Sequence, residues 1–530
     1  MDLLLTGEML IGQTAIRGRA GAQRAFNPAT HSDIAEPSFG WGGPDEVDRA
    51  ARLAVEAFDS YRTMPLARRS ALLEAIADNI GALGDVLVER AHAESGLPVA
   101  RLHGELARTI SQLRLFASVV RDGHFLGATI DPAQPERRPL PRADLRLTKI
   151  PLGPVAVFGA SNFPLAFSVA GGDTASALAA GAPVIVKAHN AHLGTSELVG
   201  RAVQRAVRDQ DLPEGVFSML IGGGNEIGEA LVRHPAIQAV GFTGSRQGGL
   251  ALLRLANARP EPIPVYAEMS SINPVFLLPG ALARRAEAMG RGFADSVTLG
   301  AGQFCTNPGL VVGLAGADLD RFVEATRAAL CTKAAQTMLT PGIHAAYCAG
   351  LERTAWLEGV ERVTEGLRAP GGHNMAQAVL HAADARHFLT EPELARELFG
   401  PAAIVLRAKD FEEVLQLAEH LEGQLTATLQ LEPTDHAAAA QLMTILERKA
   451  GRILANGFPT GVEVSHAMVH GGPFPATSNP MFTSVGATAI DRFLRPVCYQ
   501  DLPDELRPEA LKDRNPLGIL RVVDGTAVVG

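Results

Sequence analysis

The chain has 530 residues, of which 47% are hydrophobic and 5% aromatic, with 54 glycines and a formal net charge of -9. This length exceeds what one hydrophobic core usually organises, so two or three domains are expected, and the glycine content favours close-packed α/β layers over an aromatic-rich all-β protein. The charges are interspersed along the sequence, which excludes a basic surface of the kind that binds nucleic acid.

The amino-terminal residues and the cysteines indicate a compartment. The stretch MDLLLTGEML has no basic region and its apolar run is interrupted from Thr6 to Glu8, which predicts a first strand and not a signal peptide. No segment approaches the ~20 apolar residues that span a bilayer. The cysteines lie far apart, without a CxxC or Cys/His spacing, at Cys305, Cys331, Cys348 and Cys498. This spacing predicts neither disulfides nor a metal site, and the cytoplasm is the expected compartment.

The first 130 residues are predicted to be mainly helical. Pro44 begins a run with apolar residues at helical spacing, and further helices are expected at residues 66–95 and 99–120. The sequence Gly96-Leu97-Pro98 separates the last two.

The last of these helices carries Arg108 and Arg114 on a mainly apolar surface. From the pattern alone, both arginines are interpreted as surface residues whose alkyl stems cover apolar neighbours, with Arg108 pairing near Glu105. A ligand-binding role for Arg108 is the alternative.

Two proline-rich segments stand apart from the rest of the chain. Prolines and arginines accumulate between residues 131 and 154, and the alternating stretch 145–150 is typical of an exposed strand. The tail from residue 484 is again proline-rich and ends in an alternating segment. Residues 131–150 and 484–530 are therefore predicted to form an edge element that pairs with another subunit.

From residue 153 onwards, short apolar runs alternate with helices at roughly 30-residue spacing, which is typical of a doubly wound, mostly parallel sheet. Strands are predicted at residues 154–159, 183–188, 216–221, 237–242 and 263–268. The helices between them are expected to begin near Pro164, Leu193, Asn225 and Gly244. Because ligands of such sheets bind at the carboxyl ends of the strands, polar residues at those ends are candidates for chemistry.

A second α/β pattern runs from about residue 273 to residue 456. Its strands are predicted at residues 274–278, 309–314, 402–407 and 426–431. Cys305 precedes one of them, in the sequence GAGQFCTNPG. Small residues lead into this thiol and an Asn-Pro-Gly turn follows it, which predicts a tight, partly open loop. Such a loop suits a reactive cysteine, whereas a structural cysteine is more often embedded in an apolar helix or strand.

Four other features follow predicted strands. The glycines of GFTGSRQGG, residues 241–249, would let a phosphate approach a helix amino end, although the spacing is not GxGxxG and a plain turn explains them equally well. Lys187 can hydrogen-bond a ribose or a phosphate, or be merely solvated. Asn162 can hold an oxyanion or cap the next helix, and Glu268 can act as a general base or as a cap.

Six motifs occur in the order and roughly the separations of the aldehyde dehydrogenase superfamily, which the chain resembles along almost its whole length. They are SNFPLAF with Asn162, PVIVKAH with Lys187, GFTGS with Gly244 and Ser245, AEMSSINP with Glu268, GQFCTNPG with Cys305, and ELFGP with Glu397 and Phe399. The resemblance implies an α/β fold of two doubly wound parallel-sheet domains and a small β oligomerisation element. It places a cofactor-binding domain at 1–130 and 151–270 and a catalytic domain at 271–483, in a homodimer or homotetramer.

The resemblance also implies a covalent mechanism. As a thiolate, Cys305 would attack the aldehyde carbon, and the Asn162 side chain with the Cys305 N–H would hold the oxyanion of the thiohemiacetal. Hydride transfer would leave a thioester, which water activated by Glu268 would hydrolyse. A reductase acting through a phosphate or thioester is the other enzyme class. A non-catalytic dinucleotide-binding or structural protein is the remaining alternative, against which the presence of all three residues argues.

The implied cofactor residues are Lys187 and Glu397 for ribose, Gly244, Ser245 and Gly249 in the pyrophosphate turn, and Phe399 beside the nicotinamide. Most NAD-preferring members carry a glutamate three residues after the lysine, where this chain has Asn190. Without that carboxylate a 2′-phosphate is not repelled, so NADP is the expected cofactor and NAD the other one that can serve. The candidates for contacting the phosphate are His189, His192 and Arg246.

The usual carboxyl-terminal glycine-rich motif is replaced by HGGPFPATSNPMF, residues 470–482. With the other motifs, this replacement resembles the branch of the family that oxidises 2-oxoglutarate semialdehyde (2,5-dioxopentanoate), and an NADP-dependent branch acting on long-chain fatty aldehydes is the alternative. A short substrate with a carboxylate needs a cation, whereas an alkyl chain needs only apolar walls. By correspondence with the family, the substrate tunnel is expected to contain Arg108, Phe163, Phe167 and Phe474.

Overall fold

The computed structural model describes residues 5–369 and 372–529. Its helices are α1 (Pro44–Arg62), α2 (Leu66–Gly81), α3 (Gly84–Ser95), α4 (Val99–Asp122), α5 (Gly172–Ala180), α6 (Leu193–Asp209), α7 (Glu226–Arg233), α8 (Arg246–Asn257), α9 (Pro279–Thr298), α10 (Ala317–Leu330), α11 (Pro341–Ala355), α12 (Ala385–Thr390), α13 (Phe411–His420) and α14 (His436–Leu446). Among the described residues, none of these helices is both long and apolar enough to cross a membrane.

Within the described residues, the strands form two seven-stranded sheets, one five-stranded sheet and two two-stranded sheets. They are β1 (Met9–Ile11), β2 (Thr14–Ile16), β3 (Gly21–Asn27), β4 (Ser32–Trp41), β5 (Thr129–Asp131), β6 (Leu145–Pro151), β7 (Val155–Phe158), β8 (Val184–Lys187), β9 (Phe217–Leu220), β10 (Ala239–Thr243), β11 (Val265–Glu268), β12 (Val275–Leu277), β13 (Leu310–Leu314), β14 (Gln336–Thr337), β15 (Val360–Glu365), β16 (Met375–Ala376), β17 (Val379–Asp384), β18 (Ala402–Ala408), β19 (Gln424–Gln430), β20 (Ala450–Ala455), β21 (Leu494–Gln500), β22 (Leu520–Val523) and β23 (Thr526–Val529).

The first sheet has the strand order β11-β10-β7-β8-β9-β1-β2. Its first five strands are the five predicted ones, and they pair in parallel, while the amino-terminal β1 joins β9 antiparallel. Apolar side chains of these strands are buried under helices, which is expected of a sheet covered on both faces. The carboxyl ends of β7, β8, β10 and β11 therefore meet at one edge.

The second sheet has the order β15-β17-β18-β13-β12-β19-β20 and is parallel apart from β15. The four predicted strands are present. Three strands were not predicted, namely β15, β17 and β20. The predicted α/β class of two mostly parallel sheets is confirmed.

The two proline-rich segments pair with each other in a third sheet, with the order β21-β6-β5-β22-β23. Arg146 on β6 is nearly buried and donates to the carbonyl of Leu511 at 2.6 Å and to the carboxylate of Asp144 at 2.8 Å. The bond to Leu511 attaches the tail to the first proline-rich segment, and the bond to Asp144 lies within that segment. The role of this sheet in oligomerisation, and the division of the chain into three functional domains, remain predictions.

Two helix predictions are corrected. Residues 66–95 form two helices and not one, because the chain breaks before Gly84, whose φ of +50° lies in the left-handed region. The helix expected near Pro164 begins only at Gly172, after a series of turns. The Glu105 carboxylate of α4 accepts hydrogen bonds from the N–H groups of residues 165 and 166, at 2.9 and 3.0 Å, so a side chain takes the place of helical partners there.

Candidate active site

Cys305 lies on the loop between α9 and β13. Residues 300–302 have φ values of 56°, 57° and 64°, so the chain turns sharply before the cysteine. A Cβ on Gly302 would lie 2.3 Å from the backbone of Gly400, which only glycine avoids. After the turn, Asn273 Nδ2 donates to the carbonyl oxygens of Cys305 and Asn307, both at 2.9 Å. Side-chain hydrogen bonds thus hold the backbone of the loop that carries the thiol.

The thiol belongs to a cluster with a histidine and a glutamate. Cys305 Sγ lies 3.3 Å from His470 Nε2, and the same nitrogen lies 2.9 Å from Glu268 Oε2. Ser484 Oγ donates to Glu268 Oε2 at 2.9 Å. Glu268 is 3% exposed and His470 1% exposed. The cluster is therefore a shielded arrangement of a nucleophile, a base and a connecting imidazole.

Neither His470 nor Ser484 was predicted from the sequence. Glu268 ends β11, and residues 476–478 of the carboxyl-terminal loop run beside that strand. The N–H of Met269 donates to the Ala476 carbonyl at 2.8 Å. This pairing brings the loop, and with it His470, to the end of β11. The one signal that could have identified His470 was the segment HGGPFPATSNPMF, which begins at His470 and replaces the usual glycine-rich motif.

The electrostatics of the cluster disfavour the thiolate form of Cys305 next to the Glu268 carboxylate. Burial first, and then the charge of Glu268, raise the pKa of the Cys305 thiol well above its usual range. Burial acts to raise the pKa of Glu268, but the charge and hydrogen bond of His470 and the hydrogen bond from Ser484 outweigh it, so this pKa lies below its usual range. The resting site therefore combines a neutral thiol with an ionised Glu268.

We expect Glu268→Gln to shift the pH midpoint of Cys305 alkylation by iodoacetamide to lower pH. A neighbouring negative charge disfavours the thiolate, so its removal lowers the pKa of the thiol. The rate is measured against pH by mass spectrometry of the peptide carrying Cys305. Glu463→Gln, which removes an exposed carboxylate from the same carboxyl-terminal loop, is the matched control. A midpoint that stays in place or rises in Glu268→Gln would contradict the assignment.

Helix α4 positions the loop that carries Asn162. Arg101 Nη2 donates to the Asn162 carbonyl at 2.7 Å, and its guanidinium lies 5.0 Å from the Phe163 ring centre and 4.6 Å from that of Phe304. Four residues further along the helix, Glu105 binds the turn that follows Asn162. The Asn162 side chain is buried and donates to the Gln303 carbonyl at 3.1 Å. It does not cap a helix, and its amide faces the cysteine loop.

Arg108 lies on the same face of α4 and is not a surface residue as the helical pattern alone suggested. Its guanidinium lies 5.0 Å from the Phe167 ring centre, and its Nε donates to the Val462 carbonyl at 3.3 Å. Both Nη1 and Nη2 are buried, and neither has a hydrogen-bond partner among the described residues. Arg108 is close enough to Cys305 and Glu268 for the charges to interact. By contrast, Arg114 is exposed and binds Asp78 at 2.9 Å.

Of the three predicted tunnel aromatics, two come together and one does not. Phe163 and Phe167 pack edge to face with ring centres 5.3 Å apart, and Phe167 lies 6.1 Å from the His470 ring. Phe474 is 53% exposed, and the Arg246 guanidinium lies 5.8 Å from its ring centre. The expected tunnel position of Phe474 is corrected to an exposed position beside Arg246, because the turn that carries it packs on a neighbouring loop.

A cavity of about 850 Å³ leads from the strand ends to the thiol. The predicted residues that line it are Asn162, His189, Gly244, Ser245, Arg246, Glu268, Cys305, Glu397 and Phe399. Ser245 precedes α8, and its Oγ accepts a hydrogen bond from the Gly248 N–H at 3.1 Å. The free amino end of this helix suits a phosphate, and the cavity is large enough for a dinucleotide to enter.

The predicted cofactor residues lie in different surroundings in the structure, and their roles stay predictions. Lys187 Nζ donates to Asn190 Oδ1 at 2.8 Å, and burial lowers the pKa of the lysine to about 8. Burial, with a smaller effect of the Glu268 charge, raises the pKa of Glu397 to about 8. Gly249 is not among the residues that line the cavity, and a Cβ there would lie 2.8 Å from Met269, so glycine is needed at this position for packing.

His192 and Arg246 already have partners. His192 is buried, and its Nε2 binds the Ala160 carbonyl at 2.9 Å, so its ring is part of the interior. Arg246 makes two hydrogen bonds to the Glu422 carboxylate, at 2.9 and 3.0 Å. Of the three candidates for a 2′-phosphate, His189 and Arg246 line the cavity, and Arg246 would have to exchange its partner to bind one.

Comparison with known proteins agrees with this geometry. The chain is 64% identical over 523 residues, 99% of both chains, to "Alpha-ketoglutaric semialdehyde dehydrogenase 2" of Azospirillum brasilense, and 50% identical over 482 residues, 91% of both chains, to an alpha-ketoglutaric semialdehyde dehydrogenase of Acinetobacter baylyi. The fold is similar to that of an E. coli NADP dependent enzyme, with a TM-score of 0.81 and 21% identity over 94% of this chain and 99% of the other. It is also similar to a 3,6-anhydro-L-galactose dehydrogenase solved in complex with NADP, with a TM-score of 0.80 and 20% identity over 93% and 99% of the chains. Residues 16–473 match the model of the aldehyde dehydrogenase family, and the chain belongs to that family.

Proposed function

We propose that this enzyme oxidises 2-oxoglutarate semialdehyde to 2-oxoglutarate with NADP. Aldehyde oxidation follows from the family, and the named activity of two full-length relatives supports the choice of aldehyde. The observation that carries the choice is Arg108, whose two terminal nitrogens are buried without a hydrogen-bond partner among the described residues, close enough to Cys305 for the charges to interact.

An unpaired guanidinium in a buried place costs free energy, which a ligand carboxylate can recover by accepting two parallel hydrogen bonds. An alkyl chain offers no such partner and would leave the cation desolvated and unpaired. Phe163 and Phe167, packed edge to face next to the Arg108 guanidinium, offer apolar surface to the short methylene segment between the aldehyde and the 2-oxo acid. These residues therefore favour a short aldehyde with a distant carboxylate over a fatty aldehyde.

The first chemical step needs a proton acceptor, because the pKa of the Cys305 thiol is raised. The ionised Glu268 carboxylate, within 4.8 Å of Sγ, is placed to take that proton while the sulfur attacks the aldehyde carbon, and it releases the proton to solvent before the thioester is hydrolysed. His470 Nε2 donates to this carboxylate and orients it. The Asn162 amide would then turn from the Gln303 carbonyl to the new oxyanion. Gly244, Ser245, Glu397 and Phe399 line the cavity that would hold NADP, whose chemistry there would be acceptance of the hydride from the thiohemiacetal carbon.

Hydrolysis of the thioester on Cys305 requires an activated water. Glu268 is ionised, and its Oε1 is buried and has no hydrogen-bond partner among the described residues. Oε2 is held by Ser484 and His470, which leaves Oε1 to accept a proton from water. Attack of that water on the thioester carbon releases the carboxylic acid and returns the thiol.

Cofactor preference is proposed from Asn190. Its side chain accepts a hydrogen bond from Lys187, so no carboxylate stands beside the ribose-binding lysine at this position. A glutamate there would repel a 2′-phosphate and bind the 2′-hydroxyl of NAD. We expect Asn190→Glu to lower the ratio of kcat/KM with NADP to that with NAD by about tenfold, which corresponds to about 1.4 kcal/mol of repulsion.

Steady-state kinetics with both cofactors check this expectation. Asn190→Gln, which has the longer side chain without the charge, is the matched control and should leave the ratio near that of the wild type. A ratio that is the same in Asn190→Glu and in the wild type would mean that Asn190 does not determine the preference between NADP and NAD.

A panel of aldehydes tests the proposed substrate. Cofactor reduction is followed with NADP and with NAD against 2-oxoglutarate semialdehyde, short neutral aldehydes and long alkyl aldehydes. The highest kcat/KM is expected for the 2-oxo acid with NADP. A preference for the long alkyl aldehydes would replace the proposal by the fatty-aldehyde alternative. The enzyme is also proposed to work as a homodimer or homotetramer.

A further inference from the structure

We propose that the cluster of Cys305, Glu268 and His470 is also a binding site for Zn²⁺, which reversibly inhibits the enzyme. The spacing of the cysteines in the sequence predicts no metal site. The three side chains come from β11, the cysteine loop and the carboxyl-terminal loop, and only the tertiary structure brings them together. Their ligand atoms all lie within 4.8 Å of one another.

The distances are near those of a coordinated zinc ion. Sγ and Nε2 are 3.3 Å apart, and Nε2 and the Glu268 Oε2 are 2.9 Å apart. Tetrahedral zinc with bonds of about 2.0 to 2.3 Å separates its ligand atoms by about 3.3 to 3.7 Å. These two separations therefore need to grow by only some tenths of an ångström, and the third, between Sγ and the Glu268 carboxylate, lies within 4.8 Å. Two hydrogen bonds would be replaced by metal–ligand bonds.

The donor set selects the type of metal. A thiolate, an imidazole and a carboxylate are the ligands of zinc, whereas Mg²⁺ and Ca²⁺ prefer sites made of oxygen atoms. Three protein ligands leave a fourth position for water. Glu268 Oε1 has no hydrogen-bond partner among the described residues, so the carboxylate can rotate towards the ion without breaking a bond at that atom.

The surroundings indicate a reversible inhibitor and not a resident cofactor. Zinc-bound histidines almost always donate their second N–H to an acceptor, and that support strengthens binding. His470 Nδ1 is buried, and the described residues offer it no partner. The cationic Arg108 also lies close enough to Cys305 and Glu268 to oppose a second cation there. Both features reduce zinc affinity.

Binding would inhibit the enzyme by occupying its nucleophile. The Zn–S and Zn–N bonds form as the thiol proton passes to solvent and the proton on His470 Nε2 leaves that nitrogen, and the sulfur can then no longer attack an aldehyde. Glu268 is held by the same ion and cannot activate water. The inhibition does not depend on which aldehyde is oxidised, so it stands or falls independently of the proposed substrate.

The test measures Cys305 alkylation and dehydrogenase activity in the whole enzyme against buffered free Zn²⁺, with Mg²⁺ in parallel. Zn²⁺ is expected to protect Cys305 from iodoacetamide and to inhibit the enzyme over the same concentration range, with full recovery after EDTA. Mg²⁺ should do neither. Zinc binding measured by calorimetry should weaken at least tenfold in His470→Ala and in Glu268→Gln, with folding checked by circular dichroism.

A second Cys/His pair in the structure supplies the matched control. Cys348 Sγ lies 3.5 Å from His344 Nε2, away from the catalytic cluster. Cys348→Ser should leave the inhibition and the protection of Cys305 unchanged. The proposal is overturned if Cys348→Ser abolishes inhibition, if Cys305 alkylates equally fast at inhibitory Zn²⁺, or if neither variant of the cluster weakens zinc binding.

Discussion

Replacing Asn162 by alanine is expected to lower kcat by about 100- to 1,000-fold, which is the usual loss on removal of one oxyanion donor. The Asn162 amide is buried and lies at the cysteine loop, 3.1 Å from the Gln303 carbonyl. It can stabilise charge that develops on the aldehyde oxygen only as Cys305 attacks. Because this interaction is absent from the ground state, the loss should fall on kcat and leave KM nearly unchanged. Steady-state and single-turnover kinetics of cofactor reduction measure it.

Alkylation of Cys305 separates this role from a structural one. Iodoacetamide reacts with the sulfur without forming an oxyanion, so Asn162→Ala should alkylate as fast as the wild type. If alkylation and turnover fell together, the role of Asn162 would be to hold the cysteine loop through Gln303, and the oxyanion assignment would be wrong. The same kinetics on Arg101→Met examine the hydrogen bond that holds the Asn162 backbone.

The predictable part of the site lies at strand ends. Lys187 and Glu268 end two parallel strands, and Asn162 follows a third by a few residues, so the alternation of apolar runs was enough to place them at one edge. Cys305 could be recognised because glycines and an Asn-Pro-Gly turn surround it. These signals come from residues that are neighbours in the chain, so a single sequence is enough to detect them.

The part that could not be predicted depends on contacts between distant segments. His470 is 165 residues from Cys305 in the chain, and it reaches the thiol only because an irregular loop pairs with the edge of β11. Such pairing uses backbone groups, which every residue has, so no pattern of side chains in the sequence predicts it. The absence of the helix expected near Pro164 also depends on a contact between distant segments. The Glu105 carboxylate on α4 binds this turn although it is 60 residues away in the chain.

Arg108 shows how helical periodicity alone can mislead. The spacing of apolar residues on α4 identifies a buried face, and an arginine near such a face is ordinarily a surface residue with a covered stem. Here Arg101, Glu105 and Arg108 recur at helical spacing on one face, and all three contact the segment that follows β7 or the loops beside it. The charges of these three residues on one face of the helix indicate a functional site, whereas their helical spacing alone does not indicate one.

Replacing Arg108 by methionine is expected to lower kcat/KM for 2-oxoglutarate semialdehyde by about 100-fold. Hydrogen bonds to a charged partner contribute about 1.5 to 3 kcal/mol, and a factor of ten corresponds to about 1.4 kcal/mol. Methionine keeps an unbranched apolar side chain but removes the cation that lies over the Phe167 ring, so a neutral aldehyde of similar length should be oxidised as well as before or better. The measurement is kcat/KM for both aldehydes with saturating NADP.

Arg114→Met is the matched control, because Arg114 lies on the same helix, is exposed and pairs with Asp78 at the surface. It should change neither value. Equal losses for the charged and the neutral aldehyde in Arg108→Met would mean that the arginine supports the fold of the tunnel and binds no carboxylate. A loss confined to the charged aldehyde would leave one physical explanation, that the buried guanidinium finds its missing partner in the substrate, and the preference would then reside in one side chain of α4.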